Sequence, residues 1–341
     1  MNQDTLNHRI ENLLFRDIHP RVFMGTASDR YAGWIGQIYT PGRYRHSARN
    51  KTIGGKSFRE EVLPVESVKE FFEHFSVLEI DYTFYSPLMD KNLEPTQNYR
   101  VLQAYRRFLN KGDRLILKVP QIVFAQRVRR GDRFLENPDY LNPDIFTRQF
   151  YVPATEMLGE FISGLIFEQE YQPKKDRMPP GEYIDGLDKF FSQIPRDHRY
   201  HIETRTDSYY TNAYFELLQE YGLGQVFSHW TWLPPLRKQF LRCAKRFFNS
   251  GKQCIVRLMT PLRVRYEEAY ARAFPFDKLV DGMMSPEMIP DTVGILKAAI
   301  RDGIDINIII NNRAGGNAPL IGKEIAKRFA EASHDQVLVP L

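Results

Sequence analysis

Two cysteines, Cys243 and Cys254, are all that the 341 residues contain, and their spacing is neither CxxC nor a zinc pattern. A disulfide-stapled or zinc-ribbon module is excluded, and free, buried thiols in a reducing compartment are expected. Long apolar runs are missing too: nothing approaches the roughly 18 residues that a membrane-spanning helix needs. The opening stretch MNQDTLNHRIENLLFRDIHP is interrupted by acids and amides and does not read as a signal peptide. Leu6, Ile10, Leu13 and Leu14 recur there at helical spacing, which predicts an amphipathic helix within residues 1–19. A cytoplasmic protein with no membrane partner is the expectation. The chain also lacks a GxGxxG after its first strand, a P-loop, a GxSxG elbow and the kinase signatures. Dinucleotide binding, P-loop hydrolysis and serine hydrolysis lose their sequence support. Charge of one sign is scarce: 47 basic against 42 acidic residues give a net +5. That permits anionic partners without demanding nucleic acid, for which basic residues should crowd one face.

What is present is alternation. Candidate strands are RVFMGT (21–26), VLEIDYTFY (77–85), RLILKVP (114–120), GLIFEQE (164–170), RYHIETR (199–205), GQVFSHW (224–230), QCIVRLM (253–259) and INIIIN (306–311). Amphipathic stretches lie between them, among them VESVKEFFEHF, NYRVLQAYRRFLNKG, TEMLGEFISG, YIDGLDKFFSQI, NAYFELLQEYG and PDTVGILKAAIRDG. PLRKQFLRCAKRFF (235–248) reads as a basic outer helix with Phe240, Cys243 and Phe247 packed inward. Eight strands alternating with helices point to a parallel sheet with crossovers, and eight is the number that closes a (β/α)8 TIM barrel. The runner-up is an open doubly wound sheet. No Pro-, Gly- or Ser-rich linker divides the chain, so a single domain over 1–341 is predicted, its core at about 20–332. Two long connections, 40–64 and 121–144, follow the first and third strands, where barrel loops build sites.

Charges embedded in strands carry the functional signal, because burying an unpaired charge costs several kcal/mol. Glu79 and Asp81 share one parity of the second strand, with Thr83 and Tyr85 further along it. Lys118 ends the third strand, Glu168 lies in the fourth, Glu203 and Arg205 share a face of the fifth, and Arg257 sits in the seventh. The last strand hands over to paired carboxamides, Asn311 and Asn312, in INIIINNRAGGNAP. At one barrel mouth these groups would form a polar pocket for a small anionic or polyhydroxylated ligand. Lys118, Arg205 and Arg257 would hold negative charge, the asparagines would fix orientation, and Glu79 or Glu203 would act as general acid or base. Hydrolase, lyase and isomerase chemistry are all compatible with that set. A polar layer of satisfied ion pairs in a non-catalytic scaffold is the structural alternative.

A catalytic metal would draw on Glu79, Asp81, Glu168, His201, Glu203 and His229. No HxH or HExxH spacing exists, and Lys118 and Arg257 would oppose a cation, so neither a metal nor another cofactor is expected. A second alternative is a nucleic-acid clamp, including phosphodiester chemistry. It would use Arg43, Arg45, His46, Arg49, Lys51, Lys56 and Arg59 of loop 40–64 and Arg127, Arg129, Arg130 and Arg133 of loop 121–144. Tyr44, Phe58, Phe124 and Phe134 are interleaved with them as stacking rings.

Seven segments in order, FMGTAS…GWIGQIYTPG, LEIDYTFYSP, LILKVP, LIFEQ, HIETR, CIVRL and IIINNRAGGNAP, resemble the YecE-like family, a TIM-barrel domain of unknown function. The resemblance spans residue 21 to about 330. It implies that Trp34, Glu79, Phe84, Tyr85, Lys118, Glu203, Arg205, Arg257, Asn311 and Asn312 fall at the family's recurring positions. The chain departs from that pattern at several points. VPQIVFAQ stands where a Thr-His commonly follows Lys-x-Pro, and Arg257-Leu258-Met259-Thr260 replaces Arg-Leu-His-Gly. Glu168 replaces a glutamine, RTDSYY (205–210) replaces RHPSW, and Arg313 replaces an acid. Two proton-shuttling histidines are thereby absent, which implies a divergent member.

Overall fold

The computed structural model describes residues 2–130 and 133–334, with the side chains at 129, 130, 133, 134, 333 and 334 outside the described residues. Twelve strands lie among them: β1 (Val22–Ala27), β2 (Ser47–Ile53), β3 (Lys56–Val62), β4 (Val77–Ile80), β5 (Arg114–Lys118), β6 (Arg127–Arg130), β7 (Arg133–Glu136), β8 (Ile162–Glu168), β9 (Tyr200–Glu203), β10 (Gly224–His229), β11 (Gln253–Leu258) and β12 (Asp305–Ile310). Eight of them close a barrel in the order β1-β12-β11-β10-β9-β8-β5-β4, the (β/α)8 architecture expected from the alternation. By contact density the described chain falls into two compact units, one of residues 2–78, 227–241 and 256–334, the other of 79–226 and 242–255.

In the first unit β1 and β12 pair in parallel, from Val22 opposite Ile306 to Thr26 opposite Ile310. Met24, Ile306, Ile308 and Ile310 are buried completely, as strands covered on both faces demand. A Cβ on Gly25 would lie 1.7 Å from the Val77 carbonyl oxygen, so only glycine lets these backbones approach. The N-terminal helix forms over Gln3–Glu11, capped by Asn2, whose Oδ1 accepts from the Thr5 N–H at 2.8 Å. Ile10 is its buried residue, and Glu11 pairs with Lys323 at 2.6 Å and Lys327 at 3.0 Å on the long helix Ala318–His334.

Most of connection 40–64 is a hairpin, not an open loop. β2 and β3 pair antiparallel around Gly54 and Gly55, both at positive φ, the arrangement that two-residue hairpin turns require. The hairpin lays Ile53 and Phe58 against Tyr270 and Phe276.

The second unit holds β5, β8 and β9 side by side in parallel. An aromatic cluster of Phe146, Phe167, Phe190, Phe191 and Tyr200 covers their outer side, with ring centroids 5.2–6.3 Å apart. Connection 121–144 contains the β6–β7 hairpin between two short helices, Gln121–Phe124 and Pro143–Phe146.

Three sequence-based boundaries are corrected. VLEIDYTFY does not run as a strand to Tyr85; β4 stops at Ile80 and Tyr82–Phe84 form a 3-10 turn. The Thr83 hydroxyl causes the bend by donating to the carbonyls of Ile80 (3.2 Å) and Lys118 (2.7 Å). Parity along the second strand therefore ends before Thr83 and Tyr85. TEMLGEFISG is helical only to Leu158; Gly159 then takes φ +52 and β8 begins at Ile162. The basic helix covers Leu236–Arg242 alone, because Ala244 and Lys245 both adopt left-handed φ; Phe240 and Cys243 are nonetheless buried.

Candidate functional site

Three neighbouring strands of the second unit finish in charged residues: Lys118 is the last residue of β5, Glu168 of β8 and Glu203 of β9. Glu79 is the penultimate residue of β4 and is fully buried. Register sets Glu168 directly opposite Glu203. Neighbouring strands lie about 4.8 Å apart, so two ionised carboxylates so placed repel each other. Arg205, two residues past β9, offsets that repulsion. Its Nη2 lies 3.1 Å from Glu168 Oε2 and 3.3 Å from Glu203 Oε1. Lys118 Nζ approaches the same Glu168 oxygen at 2.6 Å.

The cations are themselves held in place. Lys118 Nζ sits 3.8 Å above the Phe84 ring, where the negative face of the ring stabilises an ammonium. The Thr83 hydroxyl grips the Lys118 carbonyl, and the Arg205 backbone N–H donates to Gln169 Oε1 at 3.0 Å. The strand ends of this unit thus carry three buried carboxylates (Glu79, Glu168, Glu203) and two cations (Lys118, Arg205). Such a set presents more acceptors than donors. Tyr85, by contrast, is 70% exposed, with its ring edge-on to Phe84 at 5.6 Å.

In the first unit Arg257 is the penultimate residue of β11 and only 1% exposed. His229 ends β10; burial lowers its imidazole pKa to about 4, and Nε2 lies 3.2 Å from the Ser285 hydroxyl. The ring is therefore neutral near pH 7.

The paired asparagines have framework partners. Asn311 Oδ1 accepts from the Arg313 N–H at 3.0 Å and caps a short 3-10 turn. Asn312 Oδ1 accepts from the Trp34 indole N–H at 3.2 Å and from the Ala318 N–H at 2.8 Å, at the start of the last helix. Asn317 adds a second tie. Its Oδ1 caps Leu320 N–H (2.9 Å), while Nδ2 donates to Gln37 Oε1 (2.9 Å) and the Phe276 carbonyl (2.8 Å). Trp34 and Asn312 are thus brought together, and Asn311 turns back on its own loop. Sequence reading missed Gln169, Ser285 and Asn317. Only Asn317 carried a legible signal, an amide immediately before Ala-Pro at a helix start.

Several basic groups of the proposed clamp are engaged locally. Arg49 and Lys51 meet Glu60 at 2.8 and 3.3 Å, Arg43 pairs with Glu70, His46 lies 3.3 Å from Glu61, and Arg127 lies 3.3 Å from Asp176. Arg129, Arg130, Arg133 and Phe134 have side chains outside the described residues. Among the described residues no cluster of three or more His, Cys, Asp or Glu is arranged to hold a metal, and no helix is long and apolar enough to cross a membrane. Both cysteines are free and buried; burial pushes the Cys243 thiol up to about 12 and that of Cys254 higher still, which leaves them unreactive.

Two solved structures share this fold. A DUF72 family protein from Thermotoga maritima is 14% identical with a TM-score of 0.53, covering 91% of this chain and 99% of its own. A DUF72 family protein from Enterococcus faecalis is 14% identical with a TM-score of 0.55, covering 90% of this chain and 95% of its own. At such identity the likeness establishes the fold alone. No curated protein matches the chain. The family model described as "Protein of unknown function DUF72" matches residues 23–340, in line with the resemblance read from the ordered segments. With that match over most of its length, the chain belongs to the DUF72 family.

Proposed function

We propose that the strand ends of the second unit bind a small polyhydroxylated ligand, and that Lys118, Glu168, Glu203 and Arg205 are the groups that hold it. One observation carries this reading: charged residues terminate three adjacent strands of a TIM barrel, where such barrels place their sites. Between a purely anionic ligand and a hydroxylated one, the charge balance favours the latter. Lys118 and Arg205 already face carboxylates, so an added anion would compete with Glu168 and Glu203. Hydroxyl groups suit the site better, because each can donate to a carboxylate and accept from an ammonium or guanidinium.

If chemistry follows binding, Glu203 is the candidate general acid or base. It is fully buried and accepts a hydrogen bond from the Arg205 guanidinium, which fixes its place at the end of β9. Glu79 is the second candidate, on the neighbouring side of Lys118's strand. In this reading Lys118 stabilises negative charge and is held as an ammonium between Phe84 and Glu168.

The test is a thermal-shift panel of neutral sugars, alditols and phosphates on the full chain, beside Lys118→Met and Glu203→Gln. A hydroxylated compound should raise the melting temperature of the parent and neither variant. Shifts that are identical in parent and variants, or no shift from any compound, would leave the network as a structural layer of a scaffold.

A further inference from the structure

The buried network does not stop at Lys118; it continues outward through aromatic rings. Glu203 is 0% exposed and bonded to Arg205, which also meets Glu168. Glu168 meets Lys118, whose ammonium lies on the half-buried Phe84 ring, and Phe84 meets the 70% exposed Tyr85 edge-on. Every link is a direct contact, and polarity changes along the path from carboxylate to phenol. Tyr85 and Tyr171 are the strongly exposed aromatic rings among the described residues of this unit, and both sit on segments that leave strand C-termini, after β4 and β8. The sequence offers no core role for a tyrosine at 70% exposure, since aromatic area left in water is stability forgone.

We infer that Tyr85 is the outer binding platform of this site and that the ligand is a saccharide ring rather than an open-chain polyol. A pyranose has a flat C–H face and a hydroxylated rim. The face matches the electron-rich plane of an exposed phenol, and the rim matches the acceptors and donors further in. An open-chain polyol meets the inner groups equally well but has no rigid apolar face to lay on a ring. Phe84 serves two partners in this arrangement, carrying Lys118 on its face and steadying Tyr85 at its edge. The inference rests on the hydroxyl-binding reading proposed above.

Calorimetric titration of the full chain with methyl pyranosides of glucose, galactose and mannose, and in parallel with sorbitol, separates the two claims. At least one pyranoside should bind the parent. Tyr85→Ala should weaken that binding about tenfold, Tyr85→Phe should bind as the parent does, and any affinity for sorbitol should be the same in all three. Unchanged pyranoside binding by Tyr85→Ala, or no pyranoside binding to the parent, overturns the platform. Lys118→Met tells that failure apart from failure of the site itself: if sorbitol binds the parent but not Lys118→Met, the inner site stands and only the saccharide platform falls.

Discussion

Glu168 and Glu203 face one another across two parallel strands, and a single nitrogen of Arg205 lies 3.1 Å from one carboxylate and 3.3 Å from the other. Removing that cation leaves a repulsive buried pair. Arg205→Met should cost about 3–5 kcal/mol of stability. Urea unfolding of parent and variant near neutral pH reads the difference. Adding Glu203→Gln should restore part of the loss; no recovery would show that the two carboxylates do not share the guanidinium.

His201 and His229 bring a pH dependence of their own. Burial lowers both to about 4 against an unperturbed value of 6.5. Between those values the unfolded chain takes up protons that the folded chain refuses. Stability is fully present above pH 6.5 and is lost as pH falls toward 4, by roughly 3 kcal/mol for each imidazole. Unfolding midpoints at pH 8, 6 and 5 should show the decline, and His201→Gln should flatten it. A parent curve that is level from pH 7 to 5 contradicts the buried, neutral state of these rings.

Gly224 stands opposite His201 in the β9–β10 register, and a Cβ there would come within 2.1 Å of His201 Cδ2. Gly224→Ala should destabilise the chain by about 1–3 kcal/mol through overpacking. Because the obstruction is one side chain, the double variant with His201→Ala should lose less than the single variants together. Strict additivity in chemical denaturation would place the strain elsewhere.

Asn312 accepts from both the Trp34 indole and the Ala318 N–H. Asn312→Ala should strand two buried donors and cost about 1–3 kcal/mol. Asn312→Asp keeps an acceptor at a helix start and should cost less. Chemical denaturation followed by tryptophan fluorescence checks the order of the two variants.

The barrel was legible because its strands are short β-branched runs separated by amphipathic stretches, a pattern fixed by local chemistry. The end of β4 was not legible: YTFY favours a strand by residue type, and the bond from Thr83 to the Lys118 carbonyl, on another strand, has no local sign. Gly159 at φ +52 shows the same limit, since a helix can stop at a glycine inside an unbroken amphipathic pattern. The residue types of the charged network were visible as charges inside strands. Their pairing was not, because Lys118–Glu168 and Arg205–Glu168 depend on register across strands. The asparagines stand out in the sequence as an abrupt polar ending to an apolar strand. Their partners Trp34 and Ala318 give them framework bonds that no local pattern announces.

The pairing of β1 with β12 also constrains how the chain is made. Val22 waits for Ile306, and Trp34 for Asn312, so the first strand leaves the ribosome long before its neighbour on that side exists. Until then an apolar edge with unmet backbone groups is open to any other extended chain. That edge is closed only once residues 305–310 have been made and paired with it.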